Sequence, residues 1–398
     1  NEFEDGAPEL QDRLYLNKGR SVFSRANEAL PDLRTSGACV TSGDFDGDGD
    51  LDLFIGGQVV PGRYPLAPRS YLLRNDQGKF RDATATACEA LLRPGLLSSA
   101  LWTDYDRDSD LDLLLVGHWM PCSVFQNVGE GKFVDMTKSL GLETTAGWWN
   151  VIEAGDFDGD GDPDYAVGNV GLNTLYRATE KHPLRIYGND FDHSGSFDLV
   201  LGFFEGDTCY PVRSRERSVQ QVPSLGLKFP TYKAFAQASL EQIYGRAALE
   251  KASQFEAKLL ASVWIENRGN ARFTVHPLPI EAQISPVQGL IANDFNQDGR
   301  LDLLLAGNFY SFNVETGRSD AGIGLLLQGN GSGGFRSVPS VETGFFAAAD
   351  ARDLKLLRTG PGRPPMVVVA NNHGPFQFFR HLSKKQDPGT NEVQHPSQ

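Results

Sequence analysis

A nine-residue acidic loop recurs along this chain, and it limits the fold more than any other feature. The first copy, Asp44-Phe45-Asp46-Gly47-Asp48-Gly49-Asp50-Leu51-Asp52, has a carboxylate at every odd position. The second is Asp104-Tyr105-Asp106-Arg107-Asp108-Ser109-Asp110-Leu111-Asp112 and the third Asp156-Phe157-Asp158-Gly159-Asp160-Gly161-Asp162-Pro163-Asp164. The fourth, Asp190-Phe191-Asp192-His193-Ser194-Gly195-Ser196-Phe197-Asp198, has hydroxyls at positions five and seven. The fifth is Asp294-Phe295-Asn296-Gln297-Asp298-Gly299-Arg300-Leu301-Asp302. At the next expected place, Asp350-Ala351-Arg352-Asp353-Leu354-Lys355, the oxygen pattern is lost.

A hard cation takes roughly six to eight oxygen ligands at ~2.3–2.6 Å, and alternating carboxylates around a tight turn supply them. Positions one, three, five and nine are read as side-chain ligands, and position seven as a backbone-carbonyl ligand. The candidates in the first three loops are Asp44, Asp46, Asp48, Asp50, Asp52, then Asp104, Asp106, Asp108, Asp110, Asp112, then Asp156, Asp158, Asp160, Asp162 and Asp164. Asp190, Asp192, Ser194, Ser196 and Asp198 follow in the fourth loop, and Asp294, Asn296, Asp298, Arg300 and Asp302 in the fifth. Arg300 fits only because a backbone oxygen serves at position seven. Gly49 stands where the chain bends and a Cβ is costly. Ser109 replaces that glycine in the second copy, which makes its turn the more strained. One acidic run alone is ordinarily a solvated turn. Five copies sharing an aromatic at position two and aspartate at position nine point instead to Ca2+, about four or five ions per chain.

Each loop lies between short apolar runs, such as Ala38-Cys39-Val40 before the first and Leu51 to Gly56 after it. A second signature follows, an apolar run, a turn with asparagine or glycine, then phenylalanine. It occurs at Tyr71 to Phe80, Val124 to Phe133, Val263 to Phe273 and Leu325 to Phe335. These read as hairpins. Each unit is therefore a four-stranded antiparallel meander whose acidic loop joins its first two strands. Loop starts at 44, 104 and 156, and at 294 and 350, give units of 52 to 60 residues, the length of a propeller blade. One such unit buries too little apolar surface to stand alone, so a closed ring is favoured over a linear stalk.

The rhythm breaks twice. Loops three and four start only 34 residues apart, which implies a compact third blade with Leu175-Tyr176-Arg177 as its outer strand. From loop four to loop five is 104 residues. The excess, 214–260, reads as a helical insertion, either rim ornament or a lid or docking element. Leu14 to Phe23 looks like the second half of a blade without its first half. Counting it with the six starts gives seven. The expectation is an all-β, seven-bladed β-propeller over 1–380, its first blade incomplete, followed by a flexible polar tail at 381–398. Either the C-terminal strands Met366–Val369 and Phe376–Phe379 complete the first blade, or its inner strands lie outside this sequence. The start at Asn1 suggests a mature product or a fragment of a longer protein.

The formal net charge is -14, and the five loops hold 21 of the 51 acidic residues. Bound divalent cations would cancel most of it. The charge argues against nucleic acid or anionic membrane as partners. No run approaches the roughly 20 apolar residues of a membrane span, so membrane insertion is not expected. The four cysteines, Cys39, Cys88, Cys122 and Cys209, have no zinc spacing. They read as free thiols or, at most, one bridge such as Cys39–Cys88.

Beyond the loops, the local runs Val59-Val60-Pro61-Gly62-Arg63-Tyr64-Pro65, Gly147-Trp148-Trp149-Asn150, Gly168-Asn169-Val170-Gly171-Leu172-Asn173, Lys228-Phe229-Pro230-Thr231-Tyr232 and Pro279-Ile280-Glu281-Ala282-Gln283 are distinctive. With the Asp-Phe-Asp-Gly-Asp-Gly-Asp-Leu-Asp loop, the chain resembles the FG-GAP/VCBS repeat of integrin α-subunit propellers. It is more similar still to the extracellular propellers of the bacterial ASPIC/UnbV and cartilage-acidic-protein-like group. That resemblance implies an extracellular or cell-surface propeller with calcium in hairpin loops and a binding role.

The favoured function is a calcium-stabilised extracellular binding, adhesion or assembly module for a protein or surface glycan. The alternatives are a propeller enzyme acting on polysaccharide, a lyase or hydrolase, and a structural subunit of a larger surface assembly. The seven histidines form no triad or metal spacing, so no catalytic residue is assigned. His118 beside Trp119, and the pair Trp148-Trp149, could line a sugar-binding cleft or pack on the rim. Glu205, Asp207 and Arg213 to Arg217 could build a polar pocket or a solvated loop. Asn371-Asn372-His373 reads as turn chemistry, and Asn330-Gly331-Ser332 is a lone glycosylation sequon.

Overall fold

A computed structural model describes residues 4–269, 272–311, 317–358, 360 and 365–380. The polar tail expected at 381–398 lies outside the described residues. Throughout the rest, runs of two to nine residues form antiparallel strands, many joined by glycine- and aspartate-rich turns.

A leading pair, β1 (Tyr15–Asn17) and β2 (Phe23–Arg25), forms a two-stranded sheet. The first acidic loop joins β3 (Ser36–Gly43) to β4 (Asp52–Val59), and β5 (Tyr71–Asp76) and β6 (Lys79–Asp82) complete that sheet in sequence order. The second sheet has the same meander, β7 (Leu96–Thr103), β8 (Asp112–Met120), β9 (Ser123–Asn127) and β10 (Phe133–Asp135), with β11 (Gly147–Trp148) added along β8.

The third sheet departs from the expected pattern. Its first strands, β12 (Val151–Gly155) and β13 (Asp164–Gly168), flank the third loop. Leu175-Tyr176-Arg177 is not a strand. The chain leaves instead to build a complete further sheet from β14 (Leu184–Asn189), β15 (Asp198–Glu205), β16 (Thr208–Pro211) and β17 (Ser253–Ala257), in the order β16-β15-β14-β17. Only then does β18 (Val263–Asn267) return to pair with β13, and β19 (Phe273–Pro277) pairs with β18 to finish the third sheet. The unit that looked compact is a full one split by an insertion, because the pairing edge of β13 selects a strand by hydrogen-bond geometry and burial, not by nearness in sequence.

The helical reading of 214–260 holds for five short helices between Arg215 and Lys251, after which the chain re-enters the sheet as β17. Ser214, Thr231 and Ser239 accept N-cap hydrogen bonds, and Ser239 with Gln242 forms a capping box. Val222, Leu225, Phe235 and Ile243 close a small core of their own beneath these helices.

The fifth acidic loop joins β20 (Gly289–Asn293) to β21 (Asp302–Ala306), followed by β22 (Leu325–Gly329) and β23 (Phe335–Val338). The C-terminal strands β24 (Ala351–Leu357), β25 (Met366–Asn371) and β26 (Gln377–Arg380) form a sheet of their own. Among the described residues they do not complete the leading pair, so that expectation is corrected. Asn371 and His373 serve the β25–β26 turn: the Asn371 amide donates to Pro375 O at 2.8 Å, and His373 has φ +51°.

The first strands of successive sheets adjoin in the order β3, β7, β12, β20, β24. The sheet carrying the fourth loop stands outside this row, packed on the second sheet through Leu184, Ile186, Ala257 and Trp119. Among the described residues the sheets do not follow one another as seven equivalent blades. The cores lie between faces of neighbouring sheets. Leu97, Leu113 and Leu115 pack with Phe54 and Leu72, Val263 and Ile265 pack with Leu114 and Tyr165, and Leu303 and Leu305 pack with Ala166 and Trp264. Burial on both faces explains the unbroken apolar run of β8, Leu113 to Val116.

Candidate metal centres

The loops fold on their own carboxylates. In the first, Asp44 Oδ1 accepts from the N–H groups of Gly47 and Asp48, and Oδ2 from that of Gly49. Asp104, Asp156, Asp190 and Asp294 accept from position-six N–H groups in the same way, at 2.8–3.1 Å. Each turn needs left-handed backbone. Gly47 and Gly49 supply it in loop one, whereas loop two places Arg107 and Ser109 there, at φ +62° and +77°.

This folding brings side-chain oxygens together. Asp44, Asp46 and Asp48 place ligand atoms within 4.8 Å of one another, as do Asp104, Asp106 and Asp108. Asp156, Asp158 and Asp164 do so in loop three, and Asp190, Asp192 and Asp198 in loop four. Loop five forms no such group of three carboxylates among the described residues; Asn296 stands at position three and its amide donates to Asp298 Oδ2 at 3.0 Å.

Like charges this close repel. Burial first, then the neighbouring aspartates, push the Asp46 and Asp106 carboxyls up. Burial also raises Asp158, with Asp160 and Asp156 adding to it. Asp46 Oδ1 is a buried oxygen with no hydrogen-bond partner. A buried, unpartnered carboxylate oxygen beside two others fits a hard cation.

The aspartates at position nine have a second occupation. Asp52, Asp112, Asp164 and Asp302 are fully buried, and each ties the acidic loop to the second and third strands of its sheet. In Asp112, Oδ2 accepts from Tyr105 N–H at 3.1 Å and Oδ1 from Asn127 N–H at 2.8 Å. Asp52 holds Phe45 and Asn75, Asp164 holds Phe157 and Asn267, and Asp302 holds Phe295 and Gly329 in the same manner. Burial raises Asp52 to about 6, and Asp112 and Asp164 to about 7, against the lowering by those backbone bonds. At position seven, Asp50 accepts from Gln77 N–H and Asp162 pairs with Arg107 at 2.8 Å. Ser194 Oγ and Ser196 lie in the loop-four turn, where Ser194 Oγ accepts from Ser196 N–H. Arg300 at position seven donates its N–H to Asp298.

A link between units was not read from the sequence. The asparagine that ends the third strand donates its side-chain amide to the position-two carbonyl of the preceding loop. Asn127 reaches Phe45 O and Asn267 reaches Tyr105 O, both at 2.8 Å and buried. In the loop-five sheet, Gly333 N–H takes that place on Phe157 O. The Asn-x-Gly signature in the sequence signals only a turn. Acceptance by another unit's carbonyl has no local sequence signal.

The other candidates separate. His118 and Trp148 line a common cleft, whereas Trp149, their neighbour in sequence, is fully buried and donates to Thr145 O. Glu205 and Asp207 are exposed, Asp207 lies 3.7 Å from Lys181, and Arg213 bonds Gln221 instead of joining them. The four cysteines are free thiols. The run Pro279 to Gln283 is a structural clamp: buried Gln283 bonds both backbone groups of Ser262, and its carbonyl accepts from Leu172 and Asn173. No helix of the described residues is long and apolar enough to cross a membrane.

Comparison with known proteins agrees with the repeat. The family model described as an FG-GAP-like repeat matches residues 104–167, from the second acidic loop through the second strand of the third sheet. No curated protein matches the chain in sequence. Among solved structures, an Agrocybe aegerita lectin that recognises non-reducing terminal N-acetylglucosamine is 13% identical, with a TM-score of 0.29 over 87% of this chain and 81% of that one. The V. cholerae biofilm matrix protein Bap1 is 10% identical, with a TM-score of 0.31 over 88% and 68%. BBS1N in complex with ARL6DN gives 10% and 0.23 over 88% and 94%. Scores this low establish no residue correspondence, so the loops themselves carry the functional argument.

Proposed function

We propose that residues 1–380 form a calcium-stabilised β-propeller-like module that works outside the cell, or on its surface, in binding or adhesion to a glycan or protein partner. The observation that carries this reading is the convergence of three carboxylates in each of four loops, with a buried unpartnered oxygen in the first. About four or five Ca2+ ions would be held, with loop five using Asn296 in place of one carboxylate. Asp44, Asp46 and Asp48, and their counterparts, would supply side-chain oxygens. Sites of this kind on extracellular modules fill at Kd values of ~10⁻⁴–10⁻³ M, which fits the millimolar calcium outside cells.

The metal's role in this reading is structural. With free calcium about tenfold above Kd, each site adds ~1.4 kcal/mol to the folded state. Four or five sites add roughly 6–7 kcal/mol, comparable with a domain's total of ~5–15 kcal/mol. The test is thermal unfolding in millimolar calcium and in excess chelator, with metal content measured by mass spectrometry. A large fall in Tm on chelation, with four or five calcium ions per chain, is expected. No bound metal and an unchanged Tm would leave the loops as plain acidic turns and sink the reading.

One observation favours a second reading, assembly into a larger surface structure. Among the described residues the leading pair β1–β2 has no further strand, and Tyr15 and Phe23 on it, with Val22 just before β2, are 52%, 61% and 57% exposed. Size-exclusion chromatography with light scattering in millimolar calcium tests it, and a strict monomer at all concentrations rejects it.

A further inference from the structure

Between the inward faces of β3, β7, β12 and β24 lies a cleft of about 740 Å³. Small-molecule sites occupy roughly 300–1,000 Å³ and combine apolar walls with a few convergent polar groups. This wall is mixed in that way. Thr41, Gln58, Ser99, Asn150 and Gln288 bring neutral hydrogen-bonding groups to it. The charged side chains that face it are matched. Arg352 pairs at 3.0 Å with buried Asp350, and Lys355 stands 3.8 Å from Asp353. Burial holds Glu153 above its ordinary value despite nearby Lys355. Burial pulls the His118 imidazole down to about 4, against the hydrogen bond with the Asn150 side chain. Among the described lining residues each cation thus has a carboxylate nearby, which disfavours a phosphate or carboxylate ligand.

One end of the cleft is bounded by Trp148 and Phe309, which also bound a second cavity of about 230 Å³ walled by Tyr64, Trp119 and Tyr176. Trp148 is held in a cluster of rings. Its centroid lies 5.3 Å from Trp119, 6.0 Å from Tyr176 and 5.7 Å from the His118 ring, which meets it edge-on. Trp119 donates to the Tyr64 hydroxyl and has φ +61°, a costly conformation for a bulky residue. The indole of Trp148 is thus packed among these rings while also lining the cleft.

We propose that this cleft binds a neutral carbohydrate, with a pyranose ring laid against Trp148 and its hydroxyls met by Gln58, Asn150 and Gln288. A sugar ring has a C–H face and a rim of hydroxyls that both donate and accept. A fixed indole suits the first, and side-chain amides suit the second. A purely apolar ligand would leave those amides unpaired at a cost. This inference rests on the reading of the chain as a binding module and adds the ligand class and its place.

The test uses the full calcium-loaded chain, titrated with cellohexaose, maltohexaose, mannohexaose and chitohexaose. Polygalacturonate and inorganic phosphate serve as acidic probes. Calorimetry and tryptophan fluorescence are the readouts. Saturable binding of at least one neutral oligosaccharide is expected, with a change in tryptophan emission. Affinity should fall about tenfold in Trp148→Leu, and measurably in Gln288→Ala, whose Tm in calcium should match the parent. Gln288→Ala keeps the test intact if Trp148→Leu fails to fold. Absence of binding to all four neutral probes, affinity undiminished in the variants, or preference for the acidic probes overturns the proposal. Chelator-indifferent stability with retained sugar binding would remove the calcium reading alone, so the two failures are distinguishable.

Discussion

The buried asparagine bridges between neighbouring units make a sharp prediction about where this fold gets its stability. Asn75, Asn127 and Asn267 occupy the same place in the repeat, at the third-strand end opposite the position-nine aspartate. Their side-chain amides differ in partner and environment. Asn127 donates to Phe45 O, and Asn267 to Tyr105 O, in buried contacts between units. Asn75 donates to Leu51 O of its own loop, on the exposed surface. Truncation of Asn127 or Asn267 to alanine leaves the backbone carbonyl of the adjacent loop, and the N–H of Gly129 or Gly269, without its side-chain partner. A buried group so orphaned costs ~1–3 kcal/mol, while water replaces a lost exposed partner almost fully. With one buried carbonyl and one half-buried N–H affected, Asn127→Ala and Asn267→Ala should each cost about 2–4 kcal/mol, and Asn75→Ala under about 1 kcal/mol. Urea unfolding at saturating calcium, followed by tryptophan fluorescence, measures all three on one scale. Equal losses for Asn75→Ala and Asn127→Ala would refute the reasoning, since the residue type and repeat position are shared and only the bridge differs.

The pH dependence of the metal-free protein should run opposite to that of an ordinary carboxylate-stabilised domain. Asp112 and Asp164 rise by burial from 3.8 to about 7, so the folded chain holds protons that the unfolded chain releases. This contribution is complete below pH ~3.8 and is lost as pH climbs through about 7. The Tm in chelator should therefore fall across that window, with calcium affinity rising over it, and a flat profile contradicts the assignment. Asp46→Asn should lower bound calcium by one ion per chain, read by mass spectrometry. An added Cβ at Gly329 would lie 2.1 Å from Leu301 O, whereas at Gly78, with φ +88°, it meets nothing within 4 Å. Gly329→Ala should then cost about 3 kcal/mol or more, and Gly78→Ala about 1–2 kcal/mol, compared by urea midpoints. Arg107→Ala, which breaks a partly exposed ion pair with Asp162, should change stability by less than about 1 kcal/mol.

Local chemistry is legible in the order of residues. Position-one aspartates bond N–H groups three to five residues ahead, and glycines take the left-handed turns. Both depend on near neighbours alone, so the acidic loops and the hairpins around them follow from residue order. The apolar runs that flank the loops likewise become strands. What lies beyond them is decided by pairing at a distance. Nothing in Leu175-Tyr176-Arg177 says that β13 passes it over for Val263–Asn267, almost a hundred residues on, because a strand edge offers the same backbone groups to any suitable partner. Nothing in Trp148-Trp149 says which indole reaches a cleft and which is entombed. Successive side chains of an extended segment point to opposite faces, and only the packed neighbours decide which face is core. Residue order alone carries the acidic loops, the strands that flank them and the carboxylates that crowd together. Tertiary structure decided which strands share a sheet, which loops are bridged, and that Gln58, Asn150 and Gln288, scattered along the chain, face one cleft. Long-range hydrogen bonds and burial made those choices, and neither leaves a mark in the order of adjacent residues.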